Sequence, residues 1–159
     1  MPNIRRVVEL GDYIFVVSGK VSTVQQYVIG GMRVSQKIDA LAAYRLFPEN
    51  RLHRNAEGQV WGNVVVNSRG RQHPLDHHPA ATFEERVKNF IVGADPVVLQ
   101  NEREVALGRS QSLDKLSNIL GKSGNRVIDV MSRWSKLSEH QVQELLAWLQ
   151  GIKTAAAQT

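Results

Sequence analysis

In the first third of the chain the apolar residues come in short, dense blocks. Tyr13-Ile14-Phe15-Val16-Val17 is the densest, aromatic and β-branched throughout, and it predicts a strand. Gly11-Asp12 form a turn pair ahead of it, and polar Ser18-Gly19-Lys20 follow. Residues 21–28 alternate in part, as a second strand or a continuation of the first would, before Gly30-Gly31 break the chain. Ser35 stands as an N-cap, with Ile38, Leu41 and Ala42 at helical spacing, so a helix is predicted over 35–46 and stopped by Phe47-Pro48. Beyond a charged loop, residues 59–67 (QVWGNVVVN) read as a strand with a continuously apolar middle covered on both faces, and Gly62 marks a bulge or close backbone approach. Ser68-Arg69-Gly70-Arg71 turns the chain, and the prolines of HPLDHHP predict a loop. A short helical turn is predicted over 83–88, then two short strands, 89–93 and 97–99, split by Ala94-Asp95-Pro96.

The period changes from 2 to 3.6 at about Asn101. Ser112 reads as the cap of a segment with Leu113, Leu116, Ile119 and Leu120 on one face, and Gly121 is placed to end it. Val127, Ile128 and Met131 predict another helix. Ser138 and Gln141 form a capping box before Val142, Leu145, Leu146, Leu149 and Ile152. The tail, 154–159, is expected to fray. The outline is α+β in a single domain, 1–159: a β-rich part over 1–100 with one early helix, then a helical part over 101–153.

Composition narrows the classes. A chain of 159 residues can bury a sizeable core, and no apolar run nears the roughly 20 residues of a membrane span. The first residues have no apolar signal core, and the chain has no cysteine. A cytoplasmic protein is therefore expected, without disulfides, thiolate metal sites or a cysteine nucleophile. The formal charge of +5 and pI near 9.8 raise the prospect of a polyanionic partner, because Lys and Arg at phosphates release counterions. The first half holds Arg5, Arg6, Lys20, Arg33, Arg45, Arg51, Arg54, Arg69 and Arg71, with few acids among them.

Candidate chemistry is sparser. His73, Asp76, His77 and His78 fall within six residues, but without the spacing of a helical metal pair, and a polar loop is the favoured reading. Ser18-Gly19-Lys20 lacks the upstream glycine and the following helix of a phosphate loop, so nucleotide triphosphate hydrolysis is set aside, and no cofactor motif is present. Tyr44, Phe47, Trp61 and Phe90 place aromatic faces among basic residues, the recipe for stacking a base beside a phosphate contact. Each also suits a core. Asn63, Asn67 and Asn89 have amides able to read a base edge or to cap a turn. Trp134 and Trp148 read as packing residues of the helical end.

The stretch Ile4-Arg5-Arg6, then Leu10-Gly11-Asp12-Tyr13-Ile14 and Ser18-Gly19, resembles the lead into the first strand of PUA-like barrels. More narrowly, it resembles the nucleotide-modification-associated domains, which occur with DNA base-modification and restriction systems. Tyr44, Phe47-Pro48 and Trp61-Gly62-Asn63 match later features, and the resemblance covers residues 1–100. It implies a small barrel that binds nucleic acid, DNA ahead of RNA, or a modified base, and it supplies no catalytic residue. On that reading Arg5, Arg6, Arg33, Arg51, Arg69 and Arg71 hold phosphates, and Ser18, Lys20, Trp61 and Asn63 line a base pocket. Two alternatives stay open: an enzyme acting on a nucleotide or small anion through the His73–His78 loop and Lys20, and a protein-interaction domain using its last helix.

Overall fold

The structure, a computed structural model, describes residues 4–158. In chain order it has α1 (Ile4–Val7), β1 (Tyr13–Val17), β2 (Val28–Ile38), α2 (Ala40–Leu46), a 3-10 turn (Pro48–Asn50), β3 (His53–Arg54), β4 (Val60–Trp61), α3 (Ala80–Val87), β5 (Phe90–Val98), α4 (Glu102–Leu120), α5 (Val127–Met131) and α6 (Glu139–Ala157). The class is α+β. The strands form an open three-stranded sheet ordered β1-β2-β5 and a two-stranded β3-β4 hairpin, with no closed barrel among the described residues. The chain makes two compact units, 12–33 with 94–158 and 4–11 with 34–93, and passes between them at Gly11-Asp12 and inside β2 and β5.

In the first unit β1 pairs antiparallel with β2 from Tyr13↔Arg33 to Val17↔Val28, with a bulge between Val16 and Val17. Gly30-Gly31, expected to break the chain, lie inside β2. A side chain on Gly30 would run into the Val97 carbonyl, and one on Gly31 into the Phe15 ring, so the glycines permit close approach instead of marking a turn. Residues 21–28 do not form a second strand: only an isolated Val21↔Val24 bridge precedes Val28. Val28, Leu99, Leu116, Ile119, Leu145 and Leu149 are among the residues of this unit's core. α4 starts at Asn101, whose side chain accepts from the Glu104 N–H, and ends at Gly121 in the left-handed region, φ 61°. Ser112, read as a cap, lies mid-helix and fully buried. The capping box of Ser138 and Gln141 opens α6, which runs to Ala157. Its tail stays helical through 154–157, where three alanines supply the strongest intrinsic helix preference.

In the second unit β2 continues through Ser35 to Ile38 and delays the helix. The Ser35 hydroxyl donates to the Val92 carbonyl (3.0 Å), and Asp39 caps α2 instead, accepting from the Ala42 N–H at 2.7 Å. The helix ends at Phe47, as its pattern predicts. Residues 59–67 are not one strand. Val60–Trp61 pair with His53–Arg54 in an exposed hairpin, and Gly62 (φ 95°) then turns the chain where any side chain would strike the Arg51 carbonyl. Val64, Val65 and Val66 enter a core with Ala40, Ala43 and Phe90, tied by single bridges to Arg51 and Gln72. β5 runs unbroken through Ala94-Asp95-Pro96. It is an edge strand, where proline is tolerated, and Asp95 takes the bend at φ 51°. No helix among the described residues is long and apolar enough to cross a membrane.

Candidate nucleic-acid interface

The four residues expected to line a base pocket divide between the units: Ser18 and Lys20 belong to the first, Trp61 and Asn63 to the second. Ser18 is spent on local structure. Its N–H donates to the Tyr27 carbonyl (2.8 Å), its hydroxyl accepts from the Tyr27 N–H (3.0 Å), and its carbonyl accepts from Gln26 Nε2 (2.8 Å). Lys20 is exposed. Arg33 grips Asp95 through Nε (3.1 Å) and Nη2 (2.7 Å), and these bonds, with the carboxylate charge, raise its pKa. Its charge is matched by Asp95 on the protein itself.

In the second unit Arg51 serves α2. Its guanidinium lies 4.1 Å from the centre of the Tyr44 ring and its Nε donates to the Tyr44 carbonyl at 2.9 Å, a cation–π contact closed by a hydrogen bond. Arg6 pairs with Glu85 at 3.6 Å. Burial, then the charge of Arg86, lowers the pKa of Arg5. Among the described residues Arg69 and Arg71 have no carboxylate partner, and both are exposed.

A tight turn fixes these two arginines. Asn67 Oδ1 accepts from the N–H groups of Arg69 (2.9 Å) and Arg71 (3.2 Å), and the Asn67 N–H donates to the Arg71 carbonyl at 2.8 Å. An open cavity of about 550 Å3 is lined here by Asn67, Ser68, Arg69, Arg71 and Gln72. None of these side chains is acidic, and all but Gln72, whose amide N–H groups are already taken, can donate a hydrogen bond to an anion. Gln72 Nε2 in turn donates to Asp76 Oδ2 (2.9 Å) and to the His78 carbonyl (2.8 Å). Asp76, its side chain 3% exposed, meets His78 Nδ1 at 2.5 Å. Burial pushes the Asp76 carboxyl up, but the hydrogen bonds from His78 and Gln72 and the His78 charge outweigh it and hold the group low.

This arrangement gives the histidine loop a structural part, bracing Gln72 behind the arginine turn. His73 Nδ1 accepts from the Leu75 N–H at 3.2 Å, and His77 is exposed. Among the described residues no three His, Asp or Glu side chains gather to hold a metal ion.

The aromatic residues separate by burial. Phe90 is 8% exposed and stacks on Phe47 with ring centres 6.2 Å apart, and Tyr44 packs against the same cluster. Trp61, at 62% exposed, faces solvent. It stands opposite His53, with Arg54 opposite Val60 on the next pair. The hairpin is braced by Asn55, which exchanges bonds with Gln59, by Arg54 donating to the Gly58 carbonyl (2.6 Å), and by His53 Nδ1 at 2.9 Å from the Arg51 carbonyl. Asn63 is exposed just beyond, its N–H bound to the Asn50 carbonyl. The sequence marks Arg54 only as one of the basic residues of the first half and gives His53 no part, although HR and VW flanking an Asn-to-Gly turn is a hairpin signal. Compared with known proteins, the chain matches no family model, no curated protein and no solved structure.

Proposed function

We propose that the chain is a nucleic-acid-binding module whose second unit engages unpaired bases. Trp61 stacks a base, with His53 and Arg54 beside it on the hairpin, and Arg69 and Arg71 take phosphate oxygens in the donor-lined cavity. The observation that carries this reading is the segregation of the aromatic residues: three pack inward while Trp61 is displayed on a braced hairpin. Aromatic faces that accept any base, set among cations that track a backbone, are the physical basis of single-strand binding. The PUA-like resemblance favours the same ligand, with DNA, including modified DNA, ahead of RNA, although the described strands form an open sheet and not the closed barrel it implies.

The test is a titration of labelled oligonucleotides of about 12 nucleotides, single-stranded DNA, RNA and duplex, at rising salt. Single-stranded DNA is expected to bind at low salt and to weaken as salt rises. Replacing Arg69 and Arg71 by alanine should lower the slope of log affinity against log salt by about 1.4, from roughly 0.7 per single-strand phosphate contact. Absence of binding at low salt overturns the proposal.

A further inference from the structure

A second displayed tryptophan lies in the first unit. The segment after α5 is pinned at both ends. The Ser132 N–H donates to the Ile128 carbonyl (2.9 Å) and the Ser135 hydroxyl to the Met131 carbonyl (2.8 Å), while Val130, Met131 and Leu137 belong to the core or pack against it. Between these anchors Arg133, Trp134 and Lys136 face solvent, Trp134 at 48% exposed. Neither cation has a carboxylate partner among the described residues, and the nearby Asp129 is already held by Arg126 at 2.6 Å.

The backbone adds an independent sign. Ser132 sits at φ 58°, ψ −147°, a conformation that belongs almost entirely to glycine. A serine persists there only where its surroundings fix it, and such residues gather at binding sites. Here the strain turns the chain out of α5 and sends Arg133-Trp134 to the surface.

We infer that Arg133, Trp134 and Lys136 form a second contact for single-stranded nucleic acid, in the first unit and separate from the Trp61 hairpin. One flat ring beside two unpaired cations matches a base and its flanking phosphates. A lipid surface fits less well. Interfacial binding needs an amphipathic helix with a broad apolar face, whereas α5 is five residues long and turns Val127 and Val130 into the core.

The experiment measures binding of the full chain to a labelled single-stranded oligothymidine and, separately, to vesicles rich in phosphatidylserine. Trp134→Ala is expected to weaken oligonucleotide binding about tenfold, and Trp134→Phe to retain most of the affinity. Arg133→Ala with Lys136→Ala should weaken it too and make it less salt-dependent. Circular dichroism verifies that each variant is folded. Trp61→Ala run in parallel separates the two sites: loss with Trp61→Ala and none with Trp134→Ala overturns this inference and leaves the hairpin site standing, and the reverse upholds this one alone. Trp134→Ala variants that bind the oligonucleotide normally but leave the vesicles also overturn it, in favour of a membrane surface.

Discussion

Ser112 shows how a residue that looks like a boundary can be a tie. Its hydroxyl donates to the Gly108 carbonyl at 2.6 Å and accepts from the Val28 N–H at 2.9 Å, with no exposed surface. Ser35 behaves alike, sending its hydroxyl to Val92 across the sheet. The sequence pattern predicts a helix cap at each, because serine's hydroxyl serves a helix start and a cross-element bond equally well, and only burial separates the two. The difference has a measurable size. Ser112→Ala should leave the Val28 N–H buried without a partner and cost about 1–3 kcal/mol, seen as a lower urea midpoint. An unchanged midpoint would contradict the tie.

At the scale of elements, the legible parts were those specified by local chemistry. The β1 run, the Phe47-Pro48 stop, Gly121 as a C-terminal cap and the Ser138–Gln141 box stand where the sequence places them. The capping box makes a quantitative claim of its own: Ser138→Ala should cost about 1 kcal/mol, read as a fall in Tm, because the hydroxyl satisfies the Gln141 N–H at the head of α6. What was not legible depended on partners distant in sequence. Gly30-Gly31 look like a break until Val97 and Phe15 are known to press against them. QVWGNVVVN looks like one strand until Gly62 is seen against the Arg51 carbonyl, dividing an exposed hairpin from a buried valine triplet. The candidate site divides the same way. Ser68-Arg69-Gly70-Arg71 was recognisable as a basic turn from residue types alone. The sorting of Trp61 from Tyr44, Phe47 and Phe90 follows burial, which spacing does not encode, and for the same reason Trp134, which the pattern predicts to pack, lies half exposed.

For the whole molecule the clearest response is to acid, because each unit holds a buried carboxylate in its charged form. Glu104 accepts from the Gln100 N–H at 2.7 Å and lies 3.2 Å from Lys153 Nζ; the backbone bond foremost, and then Lys153, outweigh burial and lower its pKa. Asp76 is held low by His78 and Gln72 against its burial. A carboxyl whose folded pKa is depressed binds its proton more readily when unfolded. Its contribution to stability is therefore complete above the unfolded value of about 4 and is lost as pH falls through the folded one. Urea midpoints followed by circular dichroism should hold between about pH 7 and 5 and drop below about pH 4. Asp76→Asn and Glu104→Gln should each flatten that drop, and a midpoint undiminished at about pH 3 would refute the account. The choice of signal matters, for an optical reason. Trp148 packs against the first unit's core and donates to Gln111 at 3.1 Å, so its emission is the one that unfolding displaces furthest. Trp61, the second unit's sole indole, already meets water in the folded chain. Fluorescence excited through tryptophan thus follows the helical unit and passes over the other almost in the dark, so a melt recorded by emission alone would look simple whatever order the two units open in.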